Sequence, residues 1–128
     1  MVYTSYLANV KKLPNNKNTK KILVTRWKPR NTIDLNKYNL EWWPQLAPSE
    51  LLLSKYKDGS VNWQEYREWY LEDAERNAMF MDALEQIMEL DQEGKDIFLI
   101  CYEKNDLECH RSILREIFLL NDVSCREY

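Results

Sequence analysis

The sequence contains few of the residues that build flexible linkers, and it lacks any segment long enough to cross a membrane. Only two glycines and four prolines occur among its 128 residues, which is typical of a chain with short connections. No apolar run approaches the ~20 residues that span a bilayer. The first residues place apolar side chains before basic ones, the reverse of a secretory signal. We therefore expect a single domain over residues 1–128, located in the cytoplasm, with no membrane contact.

Cysteine and histidine are also scarce. Cys101, Cys109 and Cys125 form an odd and sparse set, which argues against a disulfide framework and indicates a reducing compartment. The paired C-x-x-C spacing of many zinc sites is missing, so no metal and no cofactor is predicted. The sequence has no glycine-rich phosphate loop, and His110 is its only histidine. Any imidazole acid or base must therefore be His110.

Acidic residues are missing from the first part of the chain. Residues 1–33 carry a charge of +8 and contain no acidic side chain, whereas residues 34–128 carry −11. Such a split can steer an anionic partner to one side of a domain. Nucleic acid is one candidate partner of the basic segment 11–30, and such binding would weaken steeply with salt. The alternative is that the basic segment only complements the acidic remainder.

Short apolar runs rich in β-forming residues predict the strands. Three of them lie near residues 2–7, 21–26 and 96–101, and an edge strand is expected at 123–125. We expect the first three to lie side by side in a short, mainly parallel sheet flanked by helices, which defines a single three-layer α/β domain. Residues 31–47 show no clean period and predict a packed loop.

Capping residues and helical periodicity predict the helices. Ser49 is a candidate N-cap, and Asn62 with Glu65 forms a capping box for the next helix. The helical pattern then continues to Gln92. One unbroken helix over this distance would be about 45 Å long, more than a domain of this size accommodates. We therefore expect a break or bend near residues 75–77.

The stretch 96–120 combines a buried strand, a polar loop and the N-terminus of a helix. Asp106 is the candidate N-cap of this helix, with Leu107 opening it. Cys109 and His110 then lie on the inward side of its first turn, and Arg111 lies nearer the rim. This arrangement is the usual geometry of a ligand site in an open α/β sheet.

Three side chains of this stretch are candidate catalytic residues. Cys109 is the candidate nucleophile because a helix N-terminus stabilises a thiolate, although acidic neighbours in the loop would raise its pKa. His110 is the candidate acid or base, and Glu103 would orient the imidazole or the substrate. Alternatively, Cys109 is a small buried hydrophobe and His110 a core histidine bonded to a strand-end carbonyl.

Five further residues are candidates for ligand binding. Arg26 follows a strand, and its guanidinium can hold a carboxylate or phosphate with two hydrogen bonds. Arg111 is interpreted as an anion clamp or as the partner of a nearby glutamate. Thr4 and Ser5 supply hydroxyls near a strand end, and Cys101 ends a buried strand, where packing is its alternative role. We expect all of these to meet at the carboxyl ends of the strands.

These observations leave three functions open. The first is binding of a small anionic ligand, such as a nucleotide or a phosphorylated metabolite, in a Cys/His/Arg cleft. The second is a thiol- or histidine-dependent enzyme that uses Cys109 and His110. The third is a nucleic-acid-associated or protein-interaction module, which would use the basic segment or the large set of five Trp, eight Tyr and three Phe side chains. The sequence does not indicate an oligomeric state.

An ordered series of short motifs runs through nearly the whole chain. It comprises an N-terminal YTSY, Arg26-Trp27-x-Pro29, Leu46-Ala47-Pro48-Ser49, Lys55-Tyr56-Lys57-x-Gly59, Trp63-x-x-Tyr66-x-x-x-Tyr70, Leu99-Ile100-Cys101-Tyr102-Glu103-Lys104 and Cys109-His110-Arg111. This series closely resembles the domain-of-unknown-function 488 family. The resemblance implies a compact cytosolic α/β domain with a parallel sheet, no established reaction, and a site made of the catalytic and ligand-binding candidates named above. Trp27 departs from the pattern, because family members often have a small residue after this arginine.

Overall fold

The computed structural model describes residues 1–29 and 34–128, which include a five-stranded sheet. The strands are β1 (Val2–Tyr6), β2 (Thr19–Leu23), β3 (Leu40–Trp42), β4 (Asp96–Cys101) and β5 (Cys125–Glu127). Their order is β3-β2-β4-β1-β5, and every neighbouring pair is parallel. The predicted α/β fold with a short parallel sheet is therefore confirmed.

The two strands between residues 19 and 47, β2 and β3, differ from those predicted from the sequence. β2 was expected near 21–26 but begins at Thr19, because its pairing with β4 extends to Thr19 opposite Asp96. β3 lies inside the segment 31–47, which was predicted to be a loop. A strand of three residues is too short to show a period in the sequence. Residues 31–33 of that segment lie outside the described residues.

The predicted edge strand at 123–125 forms two residues later, as β5. Asp122 adopts a φ of 59°, in the left-handed region, and the backbone N–H of Val123 donates to the carbonyl of Phe118 at 2.9 Å. The chain is therefore still closing the end of the preceding helix at Val123. It reaches β1 only at Cys125, which lies opposite Val2.

The helices are α1 (Glu50–Lys57), α2 (Trp63–Glu75), α3 (Ala78–Gln92) and α4 (His110–Leu120), with short 3-10 helices at Leu7–Lys12 and Pro44–Leu46. Ser49 caps α1, and Asn62 and Glu65 form the predicted capping box of α2. The predicted break separates α2 from α3, where the side chain of Asn77 accepts hydrogen bonds from two backbone N–H groups of α3. No helix among the described residues is long and apolar enough to cross a membrane.

The prediction for the start of α4 was wrong. The helix begins at His110 rather than Leu107, and its N-cap is Cys109 rather than Asp106. The carboxylate of Asp106 instead accepts a hydrogen bond from Nη2 of Arg115 at 2.7 Å. Cys109 has an extended backbone, with φ −127° and ψ 141°, so the turn that its N–H closes on the carbonyl of Asp106 at 3.3 Å stays outside the helix.

β4 separates two apolar layers. On one face of β4, the side chains of Ile97, Leu99 and Cys101 pack against the α-helices. On the other face Phe98 and Ile100 pack with residues of the 3-10 helix Leu7–Lys12. The three layers are thus α-helices, sheet, and the 3-10 helix with its neighbouring loop. The alternation that is inherent in a strand turns Cys101 towards α4.

Candidate functional site

A cavity of about 160 Å³ lies where β2 and β4 end and α4 begins. Residues that follow the two strands line it, together with the first turn of α4 and side chains of α1 and α2. They are Thr25, Arg26, Trp27, Pro48, Leu53, Tyr56, Tyr66, Tyr102, Glu103, Glu108, Cys109 and His110. The walls are thus mainly aromatic and aliphatic, with a few polar groups, as in ordinary ligand sites. Four predicted site residues meet here, namely Arg26, Glu103, Cys109 and His110.

Two cysteines and the single histidine form a buried cluster at this cavity. The ligand atoms of Cys101, Cys109 and His110 all lie within 4.8 Å of one another. Cys101 Sγ is 3.5 Å from Nε2 and 3.8 Å from Nδ1 of His110, and Cys109 Sγ is 4.0 Å from Nδ1. Cys101 ends β4, whereas Cys109 caps α4, so the crossing of this strand and this helix brings the two sulfurs together.

A backbone carbonyl orients the imidazole of His110. Nε2 lies 2.7 Å from the carbonyl oxygen of Val24, and a carbonyl oxygen can only accept a hydrogen bond. Nε2 therefore carries the proton, and Nδ1 is left as the atom near Cys109 Sγ. Val24 thus holds the imidazole, one of the two roles predicted for Glu103, and the other role, orientation of the substrate, stays a prediction.

The two thiols titrate in opposite directions. Hydrogen bonding from the Cys101 thiol lowers the pKa of Cys109 against the opposing effect of burial, which raises it. The imidazole of His110, when it is protonated on both nitrogens, and the backbone N–H of Arg111 also lower this pKa. Burial and the hydrogen bond to Cys109 raise the pKa of Cys101 well above its usual value. When the pair loses one proton, these opposite shifts favour the thiolate on Cys109 and the remaining proton on Cys101. The causes that lower the pKa of Cys109 outweigh the raising effect that was expected of the acidic loop.

Arg26 lines the cavity, but its guanidinium is already engaged in holding a turn. Nε donates to the carbonyl of Pro48 at 2.9 Å, and Nη2 donates to the carbonyls of Pro44 and Ala47 at 3.1 and 3.2 Å. These bonds fix the segment 44–48 against the end of β2. Only Nη1 has no protein partner among the described residues, so Arg26 has little capacity to hold an anion with two bonds.

Arg111 lies in the interior and not at the predicted rim, because it is fully buried (0% exposed). Its Nε and Nη2 donate to the carboxylate of Glu127 at 3.1 and 2.8 Å. Nη1 donates to the carbonyl of Glu103, and Nη2 also donates to the carbonyl of Lys104 at 2.9 Å. All three nitrogens are thus used to tie the loop after β4 to β5. The helical period could not reveal this partner, since Glu127 belongs to a different element.

Thr4 and Ser5 are buried within the sheet and do not line the cavity. The hydroxyl of Thr4 donates to Glu127 at 2.6 Å and accepts from Nη1 of Arg115 at 3.0 Å. The hydroxyl of Ser5 accepts from the side chain of Asn9 at 3.1 Å. β1 continues to Tyr6, so both hydroxyls lie short of the strand end, where polar neighbours satisfy them.

Several aromatic residues of the cavity were missed as site residues. Tyr66 occupies a helical stripe that is typical of a core, yet it also faces the cavity, and burial raises its pKa. Burial and a hydrogen bond to Glu108 raise the pKa of Tyr56. Trp27 is 56% exposed and lines the cavity mouth. The sequence does hint at a site role for Tyr66, because a tyrosine on an apolar helical stripe carries a polar hydroxyl and can serve both packing and recognition.

Three cations of the basic segment 11–30 are engaged by other groups of the fold. Lys21 is only 2% exposed and donates to the side chain of Asn15 at 3.2 Å, and burial lowers its pKa. Lys20 forms an ion pair with Glu41 of β3. Together with the turn-bound Arg26, these residues withdraw part of the +8 charge from the surface, and Arg30 lies outside the described residues.

The fold and the site define a class of protein: an α/β domain with a thiol–imidazole cluster at the carboxyl edge of a parallel sheet. The chain matches the family described as the active DUF488-N3 subclade over residues 5–122. It therefore belongs to this family, and the resemblance to the domain-of-unknown-function 488 family is confirmed. No curated protein and no solved structure gives a significant match to the chain.

Proposed function

We propose that this protein is a thiol-dependent enzyme in which Cys109 attacks a small electrophilic substrate held in the cavity. The observation that carries the proposal is the position of the Cys109 sulfur. It lies on the cavity wall at the N-cap of α4, 4.0 Å from Nδ1 of His110 and beside the Cys101 thiol. A nucleophile next to a base whose orientation is held by a third group is the general arrangement of nucleophilic catalysis. The lowered pKa of Cys109 supports the same role.

The chemical step follows from the positions of the polar groups. Cys109 reacts as the thiolate: its sulfur forms a bond to the electrophilic carbon while the leaving group departs with the bonding pair and takes a proton from solvent. Nδ1 of His110, which carries no proton, then accepts a proton from a water molecule whose oxygen bonds to the same carbon. The bond between that carbon and the sulfur breaks, the sulfur leaves as the thiolate, and the proton on Nδ1 passes to solvent. The Cys101 thiol remains protonated and stabilises the thiolate of Cys109 by its hydrogen bond.

The charge of the cavity favours a neutral or cationic reacting group over an anion. Glu103, Glu108 and the Cys109 thiolate bring negative charge to its lining, and Arg26 is the cation that opposes them. Arg111, which was expected to clamp an anion, donates its hydrogen bonds to groups of the fold itself. Binding of a small anionic ligand, the first hypothesis from the sequence, therefore has less support. We assign Glu103 to positioning of the substrate.

The size of the cavity limits the substrate. Its volume of about 160 Å³ is below the roughly 300–1,000 Å³ of sites that enclose drug-sized molecules. The cavity therefore accommodates a small molecule or the reactive end of a larger one. The rings of Trp27, Tyr56 and Tyr66 offer it planar apolar walls.

Alkylation kinetics test the nucleophile directly. We expect iodoacetamide to modify Cys109 at a rate that is already constant from about pH 6 upwards, because the thiolate forms well below the ~8.5 of a free cysteine. Peptide mass mapping identifies the modified residue. Cys125→Ser, which removes a thiol outside the cluster, is the matched control and leaves the rate unchanged. An apparent pKa at or above that of a free thiol would refute the proposal.

The charge of the reagent tests the preferred substrate class. Iodoacetamide is neutral, whereas iodoacetate is anionic, and both form the same kind of thioether. We expect Cys109 to favour iodoacetamide by a larger factor than free cysteine does at the same pH. A preference for iodoacetate relative to free cysteine would instead support the anion-binding hypothesis.

We also propose that residues 1–128 act as one domain in the cytoplasm. The pairing of β1 with β5, which joins residues from the two ends of the sequence, supports a single cooperative unit. The free thiols of Cys101 and Cys109, within 4.8 Å of each other, fit a reducing compartment. A single unfolding transition followed by two spectroscopic probes tests the first point. Fractionation of the cell tests the second.

A further inference from the structure

The Cys101, Cys109 and His110 side chains also have the composition of a metal site. We propose that they bind a thiophilic divalent cation such as Zn²⁺, with a fourth position open to the cavity, and that the bound ion switches the thiol chemistry off. The second part rests on the proposed function, since it assumes that the sulfur of Cys109 is the nucleophile. The first part rests only on the geometry of the cluster.

The ligand spacing agrees with tetrahedral coordination. Bonds of about 2.3 Å to sulfur and 2.0 Å to nitrogen separate a sulfur from a nitrogen by about 3.5 Å in a tetrahedron. Nδ1 of His110 lies 3.8 Å from Cys101 Sγ and 4.0 Å from Cys109 Sγ. Each sulfur therefore has to approach Nδ1 by a few tenths of an ångström. The two sulfurs, which lie within 4.8 Å of each other, would have to approach the separation of about 3.8 Å set by two bonds of about 2.3 Å. Paired C-x-x-C spacing is unnecessary, because a strand end and a helix cap bring the sulfurs together.

The surroundings of His110 are those of a metal-ligating histidine. Such a residue usually donates its other ring N–H to a carboxylate or backbone carbonyl, which fixes the ring and leaves one nitrogen for the metal. Here Nε2 donates to the carbonyl of Val24 at 2.7 Å, so Nδ1 is the nitrogen left for a ligand. The cluster is also buried, which protects it from competing solvent.

The donor set selects the kind of ion. Two sulfurs and one imidazole nitrogen suit Zn²⁺ and other thiophilic ions, whereas Mg²⁺ and Ca²⁺ prefer oxygen ligands. Cys109 and His110 line the cavity but Cys101 does not, so the open coordination position faces the cavity. A sulfur bonded to the ion donates electron density to the metal, which lowers its reactivity towards a substrate. Metal-bound and catalytic forms are therefore alternative states of one site.

Cobalt spectroscopy tests the metal site without any substrate. Chelator-treated, reduced protein titrated with Co²⁺ under argon should develop sulfur-to-cobalt charge-transfer bands and tetrahedral d–d bands, saturating at one ion per chain and lost on addition of Zn²⁺. Cys101→Ser should weaken binding by more than ~100-fold, because even loss of an outer partner costs 10–100-fold. Cys125→Ser is the control and should bind as the wild type does. Circular dichroism establishes that each variant is folded.

Two results would overturn the metal site: absence of the tetrahedral bands in wild type, or bands of equal strength and affinity in Cys101→Ser.

A companion experiment tests the switch. One equivalent of Zn²⁺ should block iodoacetamide labelling of Cys109, and a chelator should restore it; labelling that continues in the zinc-loaded protein would refute the switch. If the cobalt bands appear while Cys109 titrates as a free thiol, the metal site holds and the proposed enzyme fails. Fast labelling of Cys109 without cobalt bands would support the enzyme and overturn the metal site.

Discussion

Arg111 was predicted from the sequence to be an anion clamp or the partner of a nearby glutamate. In the structure it is a buried cation bonded to Glu127, and its removal should weaken the fold. Arg111→Ala would remove the two hydrogen bonds that hold the carboxylate of Glu127, which keeps the hydroxyl of Thr4 and the more distant guanidinium of Arg115. It would also leave two backbone carbonyls, at Glu103 and Lys104, without this donor. Breaking a buried ion pair by removing one partner costs about 3–5 kcal/mol. Arg111 is fully buried, but the side chain of Glu127 is 30% exposed, and water can partly solvate the stranded carboxylate. We therefore expect Arg111→Ala to lower the free energy of unfolding by about 3 kcal/mol, the lower end of that range.

An ion pair on the surface provides the matched control. Arg67 and Glu116 join α2 to α4 with side chains that are 31% and 45% exposed, and such pairs contribute about 1 kcal/mol or less. Urea unfolding followed by circular dichroism measures the free energy of unfolding of both variants and wild type. The free energy of unfolding of Arg111→Lys should lie between those of wild type and Arg111→Ala, because one ammonium group cannot replace a planar guanidinium that makes four hydrogen bonds.

Stability within about 1 kcal/mol of Arg67→Ala in both Arg111 variants would refute this assignment. It would mean that the interior contacts of Arg111 contribute little, and its side chain would again be a candidate for ligand recognition. If Arg111→Ala does not fold at all, the position of Arg111→Lys relative to Arg67→Ala still decides the question.

Three further predictions concern the cluster and the packing around it. The pKa of Cys109 is lower in the folded protein than in the unfolded chain, so its contribution to stability is complete above about pH 8.5 and declines towards pH 4. The free energy of unfolding of wild type, measured relative to that of Cys109→Ser, should therefore rise between pH 5 and 8. A difference that stays constant over this range would contradict the ionisation of Cys109. Tyr70→Phe, which leaves the buried carbonyl of Leu46 without its 2.7 Å hydrogen bond, should lower the free energy of unfolding by about 1–2 kcal/mol in urea titrations, whereas an unchanged midpoint would show that water replaces the hydroxyl. Asn77→Ala, which removes the cap of α3, should cost about 1 kcal/mol and Asn77→Ser much less; equal losses in the two variants would argue against capping.

The sequence by itself determined the elements whose causes are local. Alternating or continuous apolar runs predicted β1 and β4, because strands repeat their side-chain direction every two residues. Ser49, Asn62 and Glu65 marked two helix starts, since a cap needs only residues within one turn. The break before Asn77 followed from length alone, and the ordered motifs indicated the family that residues 5–122 match.

Only the tertiary structure decided which side chains share a site. Arg111 and Glu127 are 16 residues apart and belong to different elements, so helical periodicity placed Arg111 at a rim that the fold covers with β5. Thr4 likewise finds its partner 123 residues away, which removes its hydroxyl from the predicted site. Cys101 and Cys109 were predicted for separate roles, yet the end of β4 and the cap of α4 bring their sulfurs together at His110. Packing between distant elements sets these contacts, and local periodicity carries no information about them.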